Sequence, residues 1–383
     1  MAAPPAAVAG RAERARELVQ LLAEHPRPAG SDAEASARAL CAERLRQAGF
    51  VVREETFDYS SAVGRWGTPV GGMAAAAILL VASNAGRSGH PRAALAWLTL
   101  GAVALAAMGT YLARVGVLTI PAARRRGVNL IATRPAGGTD STLAEPTVWL
   151  MAHLDSKSQP IPILARAAGI TVVALVWFVA IGLAAAQTLL GVATVGTEWL
   201  ALAVVAAIGA APVIATTVGA RSPGALDNAS GVATILAAAE GSGSERIGVC
   251  LTSAEELGLA GARAWVRQDR TRGARIAINC DGVDDVGRTT CMHSGRRPDR
   301  LVASVLAAAA RTGVKVRAHR LFPGVLTDGV ALADAGWDVV TLSRGSARTL
   351  ARIHTPRDSA KGLTGHGISE VAGVIIELLN TDI

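Results

Sequence analysis

Four stretches of this chain contain no charged residue at all: Trp66–Gly86, Ala93–Ala113, Ala167–Thr197 and Trp199–Ala220. Each is long enough to cross a bilayer, which takes about 20 mainly apolar residues. The third contains ITVVALVWFVAIGL and the fourth reads WLALAVVAAIGAAPVIATTVG, both strong transmembrane patterns. The first two are richer in Ala and Gly, which insert weakly but pack well against neighbouring helices. The rival reading is four buried helices in a soluble protein. The overall charged fraction, 18%, is below the roughly 25% of ordinary globular chains, and these four stretches account for the deficit.

The rest of the composition excludes more than it specifies. A net charge of +8 would suit nucleic acid, yet the excess is nearly all Arg. Lys157, Lys315 and Lys361 are the only lysines, and no basic stripe is interleaved with aromatics. Nucleic-acid binding is therefore not expected. Cys41, Cys250, Cys280 and Cys291 are scattered with no C-x-x-C pair, as core cysteines in a reducing compartment would be. The opening MAAPPAAVAGRAERARELVQLL lacks the apolar h-region of a signal peptide and reads as an amphipathic helix.

Between the apolar stretches the chain has α/β character. Residues 12–23 and 33–47 have helical periodicity, with Asp32 as the expected cap of the second, and 50–59 alternates as a strand. Short strands are expected at 128–133 and 147–152, the latter running into His153. From Asp227 onward, helices and strands alternate to the end of the chain. That rhythm predicts a three-layer α/β sandwich with a largely parallel mixed sheet, interrupted by two transmembrane helical hairpins. The expected division is 1–65, 114–166 and 221–383 for the α/β domain, with 66–113 and 167–220 as the hairpins.

Ligands of open α/β sheets gather at the carboxyl ends of strands, and five polar motifs sit at such places. His153-Leu-Asp155 follows VWLMA, Asp227 follows a Pro-Gly turn, Glu255-Glu256 follows IGVCLT, Asp281 follows IAINC, and His354 lies in IHTPRDS. Singly each is a common surface pattern. Together, two histidines and three carboxylates make a donor set suited to zinc. His25, His90, His293, His319 and His366 read as ordinary surface or core histidines, and Arg344, Arg348 and Arg352 as a solvated face.

In this order the motifs AHLDS (152–156), GALDNASGVA (224–233), SAEELGLAGA (253–262), NCDGV (279–283) and HTPRDS (354–359) resemble the co-catalytic zinc exopeptidases. That family is typified by aminopeptidase Y and the bacterial leucyl aminopeptidases. The early RPAGSDAEASARAL and LRQAGFVV are similar to its lead-in, so the resemblance spans essentially all of the non-hydrophobic chain. It implies two zinc ions held by His153, Asp227, Glu256, Asp281 and His354. It assigns His153 and Glu256 to one ion, Asp281 and His354 to the other, with Asp227 bridging. Asp155 is then the carboxylate that fixes an imidazole, and Glu255 the general base. Asp328 is retained within TDGVALADAGW. The tyrosine that assists the oxyanion in some members has no counterpart, since Tyr59 and Tyr111 are the only tyrosines.

The implied substrate is a peptide, cut from its amino end. A carboxypeptidase or dipeptidase on the same site, a related cyclotransferase, and a degenerate membrane scaffold are the rivals; the partners expected are peptide and lipid bilayer. Arg65, Arg114, Arg124–Arg126, Lys157, Arg166 and Arg221 flank the hydrophobic stretches on one side, against Arg87 and Arg92 on the other. The positive-inside rule then predicts a multi-pass protein with its catalytic domain in the cytoplasm, acting on peptides held near the membrane.

Overall fold

The computed structural model describes residues 5–135, 145–193, 196–268, 275–322 and 324–381. The chain forms two compact units, one of residues 1–59, 124–158 and 220–383, the other of residues 60–123 and 159–219.

The first unit is built on eight strands: β1 (Val51–Ser60), β2 (Arg124–Thr133), β3 (Val148–His153), β4 (Ile247–Thr252), β5 (Ile276–Val283), β6 (Arg288–His293), β7 (Val316–Arg320) and β8 (Asp338–Gly345). Their spatial order is β1-β2-β4-β3-β5-β8-β6-β7. The four central strands, β4, β3, β5 and β8, run parallel, while β2 and β6 pair antiparallel to their inner neighbours. β3 and β4 are buried along their whole length, as parallel strands covered on both faces must be.

One face of the sheet is covered by helices Pro5–Leu22, Asp32–Gln47, Gly231–Gly241, Asp299–Thr312 and His366–Leu379, which close the larger apolar core. The other carries Ala260–Gln268 and Asp328–Asp334 over a cluster in which Trp265 stacks between Trp149 and Trp337. The result is the expected three-layer sandwich with a mixed sheet. Two local expectations differ. Ser31, not Asp32, caps the second helix, its hydroxyl accepting the Glu34 N–H. β6 was not expected, because RTTCMH is too polar to read as a strand; its pairing with β8 and β7 supplies what its sequence does not.

The second unit consists of helices Ser61–Arg87, Pro91–Tyr111, Ile163–Leu190 and Thr197–Ile214, all long and apolar enough to cross a membrane. They extend past the charge-free stretches and take in Arg65, Arg92, Arg166 and Glu198 at or near their ends. Ser61–Arg87 packs mainly on Pro91–Tyr111 and Thr197–Ile214, and Ile163–Leu190 mainly on the same pair, with a smaller contact between Ser61–Arg87 and Ile163–Leu190. Small residues bring them together. A Cβ on Gly169 would lie 2.5 Å from the Gly209 carbonyl, and one on Gly86 would lie 2.2 Å from the Trp199 ring. The outward positions are apolar too, with Leu100 70%, Val103 68%, Phe178 73% and Ile208 68% exposed. A water-soluble bundle would carry polar side chains there.

Candidate metal centre

The register of the central strands assembles the site. His153 ends β3 level with Thr252 at the end of β4, so Glu255 and Glu256, three and four residues further on, come beside it. Asp281 lies in β5, within an irregularity in the pairing of β5 with β8 between Cys280 and Val283. Asp227 belongs to a loop between Gly224 and the helix that starts at Gly231, and His354 to the loop after β8.

Asp227 is the centre. Its Oδ1 lies 3.2 Å from His153 Nε2 and its Oδ2 2.9 Å from His354 Nε2. Asp281 Oδ1 is 3.8 Å from His153 Nε2, and Glu256 Oε1 is 3.2 Å from His354 Nε2. Two groups of donor atoms result, His153–Asp227–Asp281 and Asp227–Glu256–His354, each with its atoms within 4.8 Å of one another. This division corrects the pairing expected from the resemblance: His153 goes with Asp281, and His354 with Glu256. The bridging position of Asp227 is common to both.

The donor set fits metal ions. His153 Nδ1 is 3.0 Å from the Asp155 carbonyl, so a proton there leaves Nε2 with its lone pair toward the carboxylates. Glu256 Oε1 is buried and faces His354 Nε2 at 3.2 Å without a hydrogen bond of good geometry, a gap that a cation between the two would satisfy. Burial opposes the charge on Asp227, but the two imidazoles beside it hold its carboxyl well below the ordinary range.

The surrounding hydrogen bonds fix these groups from behind. The Asp155 carboxylate accepts the N–H groups of Glu255 (3.0 Å) and Glu256 (3.2 Å), and stands 3.7 Å from His153 Nδ1. It therefore positions the Glu pair, while both its carbonyl and its carboxylate face the His153 ring. Asp358 accepts from the Leu226 and Asp227 N–H groups at 2.7 and 3.2 Å. Asn228 donates to the Cys280 carbonyl and accepts from Gly282, lacing the Asp227 loop to the Asp281 strand. Arg27 is buried and donates to the carbonyls of Leu22, Leu154, Pro223 and Gly224, joining the early RPAGS segment to two ligand loops.

Glu255 Oε2 faces the centre, 3.9 Å from His153 Nε2. Burial, with Glu256, Asp281 and Asp328 close by, holds its carboxyl well above the ordinary range against the pull of His153. Asp328 is buried behind it and accepts from the Thr252 hydroxyl. The sequence reading missed Lys157 as a site residue: its Nζ lies 2.6 Å from Glu256 Oε2. Arg344, by contrast, is committed to Glu370 at 2.5 Å.

Residues 206–379 match Peptidase family M28. Over those residues the chain is similar to the peptidases of that family. With the metal-donor set just described, it is a metallopeptidase. The matched residues include Asp227, Glu255, Glu256, Asp281 and His354, while His153 and Asp155 precede them. No curated protein sequence matches the chain. Among solved structures, an aminopeptidase from Aneurinibacillus sp. strain AM-1 aligns with a TM-score of 0.56 at 15% identity, covering 97% of this chain and 94% of the other. The Bacillus subtilis zinc aminopeptidase BSAP gives 0.55 at 15%, covering 96% and 94%. A Bacteroides thetaiotaomicron glutaminyl cyclase gives 0.56 at 14%, covering 97% and 98%. At these identities the likeness establishes the fold.

Proposed function

We propose that this protein is a membrane-anchored aminopeptidase that works with two zinc ions held by His153, Asp227, Glu256, Asp281 and His354. The observation that carries the reading is the position of Asp227, whose two oxygens face two different histidines, each with its own further carboxylate. Bound zinc would polarise the scissile carbonyl and lower the pKa of the attacking water. Glu255 is the proton carrier: it takes the proton of the water as it attacks and returns it to the leaving amine. Asp155 keeps Glu255 and Glu256 apart in role, because both backbone N–H groups bind its one carboxylate while the two side chains point to different partners.

The four apolar helices support anchoring in lipid, since large apolar side chains such as Leu100, Val103, Phe178 and Ile208 dominate their outward faces. Assay in detergent tests the activity. Peptides with free amino ends should lose their first residue, and the same peptides with acetylated ends should not, as read by product mass. Cleavage from the carboxyl end would replace the aminopeptidase reading with a carboxypeptidase. Loss of ammonia from peptides beginning with Gln, without shortening, would replace it with a cyclase.

A further inference from the structure

Resting on the two-metal reading, we infer that Lys157 makes the two halves of the metal centre unequal. Its ammonium occupies one oxygen of Glu256 and weakens divalent-cation binding at Asp227–Glu256–His354 relative to His153–Asp227–Asp281.

Three observations carry this. First, Lys157 Nζ stands 2.6 Å from Glu256 Oε2, while Oε1 of the same carboxylate faces His354. A carboxylate shared in this way offers a metal one oxygen instead of two, and the cation that shares it repels the metal. No comparable cation faces the other group: among the described residues the ion pairs of Asp281 and His153 involve only one another, Asp155, Asp227 and Glu255.

Second, Lys157 is held in place by its neighbours on both sides. The Ser156 hydroxyl accepts from the Arg27 N–H at 2.9 Å and donates to the Ser222 carbonyl at 3.1 Å. The Ser158 hydroxyl accepts from the Arg221 N–H at 2.9 Å. The backbone that aims the lysine is tied to the same segment that leads into Asp227. A flexible surface lysine would lose entropy to hold such a contact and gain little; this one is largely buried, with 16% of its side chain exposed.

Third, the partner is specific. Lys157 Nζ faces Glu256 Oε2 at 2.6 Å. The pair is thus a point charge against one carboxylate oxygen, in a chain that otherwise uses Arg for nearly all its positive charge.

The test is a zinc titration of the full-length protein in detergent, stripped of metal and back-titrated against a competing chelator. Wild type should bind in two steps separated by at least about tenfold in affinity, and Glu256→Gln should remove the weaker one. Lys157→Met and Lys157→Gln should tighten the weaker step by about tenfold and leave the stronger within about twofold. The glutamine variant keeps a hydrogen-bond donor and guards against misfolding of the methionine variant. Two equal steps in wild type, or lysine variants that leave the weaker step unchanged or weaken both alike, would overturn the inference alone. Wild type that binds no zinc, or Asp227→Ala that still binds two ions, overturns the two-metal reading beneath it.

Discussion

The proposed bridging role asks that the backbone of Asp227 be held still, and the residues behind it do so. Asp358, 131 residues away in sequence, accepts its N–H, and Asn228 and Ser230 bind the β5 strand that carries Asp281. Asp358→Asn places a donor amide against one of two N–H groups. It should lower zinc affinity by about 10–100-fold, the usual cost of losing an outer partner, as measured by chelator competition. Gly231 admits no side chain, since a Cβ would lie 2.1 Å from Asn228 Oδ1 and 2.5 Å from the Cys280 carbonyl. Gly231→Ala should lower stability by about 1–3 kcal/mol, visible as a fall in Tm, and reduce zinc retention with it. At the Glu pair, Glu255→Gln should retain zinc and lower kcat by about 10²–10⁴-fold, whereas Glu256→Gln should lose metal. Exchange of the two phenotypes would reverse the assigned roles. The five proposed donor residues stood out in the sequence because each sits in a contiguous motif, His153, Glu256 and Asp281 at or near strand ends and Asp227 and His354 in loops. The pairing of those donors did not, because it depends on the order of strands in the sheet. Lys157 was visible only as a charge flanking a hydrophobic stretch, since nothing local points its side chain at Glu256.

Among the helices of the second unit, close approach depends on glycine. Gly86 sits against the Trp199 ring, and Gly169 against the Gly209 backbone. Gly86→Leu should therefore destabilise the helical unit by about 1–3 kcal/mol, while Gly71→Leu on the same helix, where a Cβ meets nothing within 4 Å, should not. Thermal unfolding in detergent compares the two, and equal effects would argue against this packing. Charge-free windows located all four helices but not their ends, because arginines and a glutamate are tolerated where a helix meets polar surroundings. The strands of the central sheet were found by their continuous apolar runs, and β6 was lost for want of one.

For the molecule as a whole, both apolar segments hold an even number of helices, so the proposed anchoring predicts that the three stretches of the α/β unit share one side of a membrane. The positive-inside rule, applied to the Arg and Lys that flank those stretches, predicts that this side is the cytoplasm. Cysteines introduced at Gly89 and Val192 should label from the opposite side, against a low background because Cys41, Cys250, Cys280 and Cys291 are all buried. Labelling of both positions from the cytoplasm would contradict this topology. The claim on which the functional account depends is that one carboxylate serves two metal ions, and zinc content per chain tests it directly. Wild type should hold about two zinc ions, His153→Ala and His354→Ala about one each, and Asp227→Ala almost none. An Asp227→Ala protein that is folded and retains the zinc content of wild type would contradict it.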